Sequence, residues 1–218
     1  MAELRTEEEQ IQAIKDWWKN NGTSLLIGVG AALAIVFGWQ GWQNHQAQER
    51  AAAGNQFVSL VEAFSNQDDE ERGATVDFIA KTLRDKYADS AYAVYGNLIL
   101  ARQQLTDGDA EGAVESLEWA MEKVAEHPAL SLVVSSRLAK AQFAAGNYDE
   151  ALATIDAVKD AGSFAGIFQE LRGDILLAKG DRDGARTAYL RAREAQGASG
   201  GTGILELKLS DLGVGEDA

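Results

Sequence analysis

Hydrophobic and polar positions fall into three regimes along the chain. From Thr23 to Trp42 the sequence reads TSLLIGVGAALAIVFGWQGW, with no charged residue and Gln40 as its only strongly polar side chain. Twenty residues rise about 30 Å as a helix, the thickness of a hydrocarbon core. A buried helix of a soluble protein usually keeps a polar face, and this segment has none. Trp17 and Trp18 precede the run and Trp39 and Trp42 close it, where interfacial aromatic belts sit. A cleaved signal peptide would have an apolar region of about 7–15 residues followed by a small-residue cleavage site. Here the run is longer and leads into GWQGWQNHQ with no A-x-A. The pattern predicts an uncleaved transmembrane anchor over 23–42.

The preceding arm, 1–22, has a different pattern. Thr6–Asn20 reads TEEEQIQAIKDWWKN, with Thr6 and Glu9 at capping-box spacing. Ile11, Ile14, Trp17 and Trp18 form an apolar stripe at helical spacing. The arm is expected to be an amphipathic helix that lies on membrane lipid or docks a partner. Asn21-Gly22 reads as its stop signal. Arg5, Lys15 and Lys19 stand on this side, whereas the first 18 residues after Trp42 carry only Arg50. The positive-inside rule therefore places the arm in the cytoplasm and the large C-terminal part across the membrane. Within the anchor, Gly30, Ala34 and Gly38 line up small side chains along one helix face. That is either a lane for a second membrane helix or the ordinary Gly and Ala content of such helices.

The third regime is a repeat. Residues 43–70 continue with helix formers and close on a charged break, Gln67–Glu71. Within 71–196 a pattern then recurs near the period of tetratricopeptide repeats. Gly108-Asp109-Ala110-Glu111-Gly112-Ala113, Gly146-Asn147-Tyr148-Asp149-Glu150-Ala151 and Gly180-Asp181-Arg182-Asp183-Gly184-Ala185 start 38 and then 34 residues apart. Each puts a Gly, which can take the positive φ that ends a helix, five residues before an Ala that lets two helices pack closely. Larger apolar residues follow four further on: Leu117, Ile155 and Tyr189. The upstream positions Leu100-Ala101, Leu138-Ala139 and Arg172-Gly173 match more loosely, and the consensus Trp and first Tyr are missing. The fold class expected is all-α: a single N-terminal transmembrane helix followed by a tetratricopeptide-like helix-pair solenoid. The tail, 197–218, breaks the pattern with a Gly-rich hinge, Gly197–Gly203. Leu205, Leu207 and Leu209 then alternate with polar residues, the period of a half-buried strand able to add to another edge.

Composition agrees and excludes much. A single Pro in 218 residues suits helix. With no Cys there is no disulfide framework or thiolate metal site, and His45 and His127 are the only histidines. The first 42 residues hold three of the 20 basic and five of the 34 acidic residues, leaving 17 and 29 beyond, a formal charge of −12. Such a domain repels phosphate backbones, so no nucleic-acid partner is expected. Acidic pairs such as Asp149/Glu150 fall in first helical turns, where they favour the helix dipole. No G-x-S-x-G, H-E-x-x-H or P-loop motif occurs. No enzyme, catalytic residue, metal or cofactor is expected.

Binding is then the function to look for. In tetratricopeptide domains, inner-helix positions two, five, nine and twelve usually face a groove that takes extended or helical segments. Counting from the turn glycines gives Tyr95, Leu98, Arg102 and Leu105, then Val133, Ser136, Lys140 and Phe143, then Ile167, Glu170, Asp174 and Leu177. Arg102 and Lys140 are cations in an acidic domain and could pair with acidic groups of a partner. Tyr95 and Phe143 could anchor apolar side chains.

The layout resembles the YfgM-type ancillary subunits of the SecYEG translocon over nearly the whole chain. Leu171–Tyr189 (LRGDILLAKGDRDGARTAY) carries the likeness most specifically, with the anchor exit Gly38-Trp39-Gln40-Gly41-Trp42, Asn44-His45-Gln46 and the closing Leu207–Leu212. The Gly-rich 197–203 and the acidic 213–218 depart from that family. The resemblance implies an inner-membrane, single-pass protein beside SecYEG, associated with the membrane-anchored periplasmic isomerase PpiD. It implies a part in handing translocating polypeptides to periplasmic chaperones, and a link to a cytoplasmic stress-response regulator through the arm. A repeat scaffold for another envelope assembly, such as cell-wall synthesis, is the alternative.

Overall fold

A computed structural model of the chain describes residues 7–66, 68, 70–124, 127–197 and 203–214. Among them the regular elements are helical: α1 (Glu7–Ser65), α2 (Arg72–Lys86), α3 (Ala91–Thr106), α4 (Ala110–Lys123), α5 (Pro128–Ala144), α6 (Tyr148–Asp156), α7 (Ala165–Ala178), α8 (Arg182–Gln196) and α9 (Gly203–Asp211). The expected all-α fold is what forms. The chain divides into two compact units, 1–51 and 52–218.

In the first unit, the described part is helix throughout. It contains the one helix, among the described residues, long and apolar enough to cross a membrane. The helix stop expected at Asn21-Gly22 is not used. Asn21 Nδ2 donates to the Trp17 carbonyl at 3.0 Å, and Gly22 lies under the Trp18 ring, where an added Cβ would approach to 3.2 Å. One interior Gly costs a helix about 1 kcal/mol, too little to break a segment with an apolar run on one side and an amphipathic turn on the other. The capping Thr6 lies outside the described residues.

The second unit is a series of helix pairs. Helix α2 packs on α3, and the connector expected over 43–70 contributes to their core through Ala53 and Leu60 of α1. These two are fully buried with Val76, Ala80 and Leu83 of α2 and with Ala93 and Leu100 of α3. Then α3 packs on α4, α5 on α6 and α7 on α8, while the first helices of successive pairs, α3, α5 and α7, also touch in sequence.

The turn glycines make the pairs alike. Gly108, Gly146 and Gly180 have φ of 83°, 83° and 87°, a region only Gly enters at little cost. Each turn closes the same way. The N–H after the glycine bonds the carbonyl five residues back, from Asp109 to Gln104, Asn147 to Gln142 and Asp181 to Leu176, at 2.8–2.9 Å. This is the Schellman closure. Asp109 and Asp181 then cap the next helix, accepting from the Gly112 and Gly184 N–H at 2.9 Å. Ala113, Ala151 and Ala185 are fully buried where the second helix meets the first.

The tail needs a correction. Leu205–Leu209 does not form a strand: Gly203–Asp211 is helix. Leu205, Leu209 and Leu212 are buried with Ala185, Tyr189 and Ala192 of α8. Spacings of four and three put these three on one helical face, a pattern concealed by the alternation of Leu205, Leu207 and Leu209. A lone strand on a helical solenoid has no edge to pair with and would bury unsatisfied N–H groups. A helix satisfies them internally. Its end is fixed by Arg182 and Arg186, which donate to the Asp211 and Leu212 carbonyls at 3.0–3.1 Å. Of the Gly-rich hinge, 198–202 lie outside the described residues.

Candidate protein-binding face

The inner helices α3, α5 and α7 present the positions singled out from the repeat register. Their states differ. Tyr95, Arg102, Lys140 and Ile167 are exposed, and Val133 is half-buried. Tyr95 stands beside Phe57, ring centroids 6.2 Å apart, and Phe57 also meets Tyr92 at 5.5 Å. The three rings make a half-open aromatic patch.

One of the expected positions is turned away from solvent and another is half-buried. Ser136 is buried, and its hydroxyl donates to the Val133 carbonyl at 3.0 Å. Phe143 packs against the core of its own pair, its ring 5.8 Å from Tyr148. A residue at a nominal groove position sinks inward when its side chain finds a closer partner within the pair.

At the last pair the face is occupied from within. Lys208 of α9 donates to Glu170 Oε1 and to Asp174 Oδ2, both at 2.9 Å. Its ammonium also lies 5.6 Å from the Tyr189 ring centroid. Tyr189 donates from its hydroxyl to Asp174 Oδ1 at 2.7 Å. Burial disfavours the charge on Lys208, but the hydrogen bonds to Asp174 and Glu170 outweigh it and hold the pKa above the ordinary lysine value. Burial and then the hydrogen bond to Asp174 push the Tyr189 hydroxyl well above the ordinary tyrosine value. Glu170 and Asp174 therefore share one cation supplied by the chain itself. Leu205 and Leu209 lie in the core of the same cap, which leaves Leu207 and Ile204 as its exposed apolar residues.

Arg102, Lys140 and Asp174 occupy the same position in successive pairs, 38 and 34 residues apart. In the first two of these pairs it holds a cation that makes no ion pair among the described residues, and in the third an acid bound to Lys208. In the first unit, Gly30 and Gly38 have open space where a side chain would stand.

The tetratricopeptide repeat-like domain model matches residues 15–214 of this chain. The ancillary SecYEG translocon subunit of Haemophilus influenzae is 31% identical over 97% of this chain and 100% of its own length. That of Escherichia coli is 28% identical over 95% and 97%, and that of Aggregatibacter actinomycetemcomitans 33% over 91% and 94%.

The chain belongs to this family of ancillary SecYEG translocon subunits with a tetratricopeptide repeat-like domain.

For a member of this family, two residues were not apparent from repeat counting. Arg137, one turn from Lys140, joins the same hollow between α3 and α5, although it falls outside the groove register. Lys208 reaches the face from α9, which the strand reading had placed elsewhere. A helical reading of Leu205, Leu209 and Leu212 would have found it. Among the described residues no group of three or more His, Asp or Glu side chains converges as a metal site would require.

Proposed function

We propose that this chain is a non-enzymatic inner-membrane scaffold at the SecYEG translocon that helps pass newly translocated proteins to periplasmic chaperones. The observation that carries this reading is the pairing of an apolar anchor with a helix-pair domain whose inner face keeps Tyr95, Arg102 and Lys140 exposed. The anchor confines the domain to the membrane surface, which raises its effective concentration near a channel exit. The inner helices offer aromatic and cationic side chains to extended segments leaving that exit. Relatives at about a third identity over nearly their full length bear the name of ancillary translocon subunit, which supports SecYEG as the membrane partner. The periplasmic isomerase PpiD, membrane lipid at the arm and a cytoplasmic regulator are further partners in this proposal. The arm is cytoplasmic and the repeat domain periplasmic.

The test is photocrosslinking in membranes. A photoreactive residue at Tyr95 or Lys140 should capture SecYEG, PpiD or a stalled translocating chain. One on the far surface at Glu118 should not. Equal capture from both positions, or recovery of cell-wall enzymes in place of these partners, would overturn the reading.

A further inference from the structure

The second helix of the middle pair is short. α6 has nine residues where α4 has 14 and α8 has 15. The chain leaves the helix at Ala157 and is turned by Gly162, whose φ is 48° and whose N–H donates to Asp160 Oδ1 at 3.0 Å. The missing turns leave the first half of α5 uncovered. A hollow of about 870 Å³ remains there, lined by Met121 of α4, Ser131, Leu132 and Ser135 of α5, and Thr154 of α6. None of the register positions on the binding face lines it. Met121 is half-buried and packed against the cluster that holds Leu117. Its sulfur is the only one among the described residues. That sulfur accepts from two hydroxyls, Ser131 Oγ at 3.8 Å and Ser135 Oγ at 4.0 Å. The two serines stand four apart, on one face of α5. Elsewhere the helical hydroxyls of Ser65, Thr82, Thr106 and Thr187 return to the carbonyl four residues back. Ser131 and Ser135 reach across to a thioether instead, which is a weak acceptor.

We propose that Met121 is a site of reversible oxidation, its sulfoxide oxygen received by the Ser131 and Ser135 hydroxyls. The oxidant is a hydroperoxide, of which hydrogen peroxide is the simplest. A lone pair of the sulfur attacks one peroxide oxygen, the O–O bond breaks and an S–O bond forms. The sulfur gives up two electrons. The other oxygen takes the proton of the attacked one and leaves as water. Oxidation ordinarily turns a flexible apolar side chain into a polar one and disrupts the packing around it. Here the polar partners are in place before the oxygen arrives. The new oxygen is a stronger acceptor than the thioether. Standing on the α5 side of the sulfur, it shortens the gaps of 3.8 and 4.0 Å towards ordinary hydrogen-bond distance. The hollow supplies the rest: entry for the peroxide, room for the side chain to turn, and access for the reductase that restores the thioether. The site takes up an oxidant without loss of the contact between α4 and α5. It does so whatever the binding face holds.

The probe is hydrogen peroxide, applied to the full chain in peroxide-free detergent and followed by mass spectrometry of the tryptic fragment 103–123. Met121 should gain one oxygen at a rate within about tenfold of an exposed methionine in a short peptide, since the susceptibility of a sulfur follows its exposure. Thermal midpoints are then read before and after oxidation for wild type and for Ser131→Ala with Ser135→Ala. Oxidation should leave the wild-type midpoint unchanged or raise it. It should lower that of the double variant by roughly 4 °C, the scale of two lost hydrogen bonds in a unit of this size. Methionine sulfoxide reductases should restore the mass and both midpoints. Met121→Leu, which keeps the side-chain volume, should show no shift on peroxide treatment. The same shift on oxidation in wild type and double variant, whatever its size, overturns the proposal, because the serines then do not receive the oxygen. So does a Met121 that oxidises only after the chain is unfolded in urea, because the hollow then gives no access.

Discussion

Gly173 of α7 gives the sharpest test of how the repeats pack. A Cβ built at this position collides with the Tyr189 ring, and Tyr189 is fully buried with its hydroxyl bonded to Asp174 at 2.7 Å. The ring therefore has nowhere to retreat. In the two preceding pairs the equivalent partners are Ala101 with Leu117 and Ala139 with Ile155, each within one buried cluster. The methyl group lost at Gly173 is the space that the larger ring of Tyr189 takes up. Gly173→Ala should gain about 1 kcal/mol of helix propensity and lose about 3 kcal/mol to overpacking. The net cost is about 2 kcal/mol, a fall of roughly 4–8 °C in thermal midpoint for a unit of this size. Tyr189→Leu alone should cost roughly 1–3 kcal/mol through lost contact and the lost hydrogen bond. Together the two changes rebuild the Ala101–Leu117 pairing, so the double variant should be at least about 1 kcal/mol more stable than the sum of the singles. Ellipticity at 222 nm of the full chain in detergent follows all four proteins. An unchanged midpoint for Gly173→Ala, or strict additivity in the double variant, would refute the size compensation.

Two further outcomes are expected. Lys208→Met should lower the thermal midpoint at pH 8, since it leaves Glu170 and Asp174 half-buried without their cation. Because the folded pKa of Lys208 is raised, its contribution is fully present below the ordinary value of about 10.5 and lost as pH rises through the folded value. The gap between wild type and Lys208→Met should then narrow in a pH 8 to 11.5 series, and a constant gap would show that the ion pair contributes nothing. For topology, a reporter active only in the periplasm should be active when fused after Ala218 and silent when fused before Glu7. The reverse pattern would invert the assigned orientation.

The anchor and the repeat were legible because each rests on a local signal. Twenty residues without charge need no tertiary contact to state their preference for hydrocarbon. Gly108, Gly146 and Gly180 announce helix ends through their own backbone freedom, and Ala113, Ala151 and Ala185 follow at fixed spacing. The candidate face was legible only in part. The register placed Tyr95, Arg102, Lys140 and Ile167 at the surface, where they are. It could not tell that Ser136 is buried and Phe143 half-covered by its own pair, because that depends on which neighbour lies within reach.

The sequence by itself determined the helical class, the position of the apolar anchor and the phase of the helix pairs, since helix termini and burial period are written in consecutive residues. The tertiary structure alone decided the tail and the ion pairing of the last pair. Leu205, Leu207 and Leu209 satisfy a strand's alternation as well as Leu205, Leu209 and Leu212 satisfy a helix. Only the apolar surface of α8, which requires a cover that satisfies its own backbone, selects the helix. That choice carries Lys208 onto Glu170 and Asp174, while Arg102, Arg137 and Lys140 make no ion pair among the described residues. Such pairings join residues more than thirty positions apart, and no periodicity in the sequence records them.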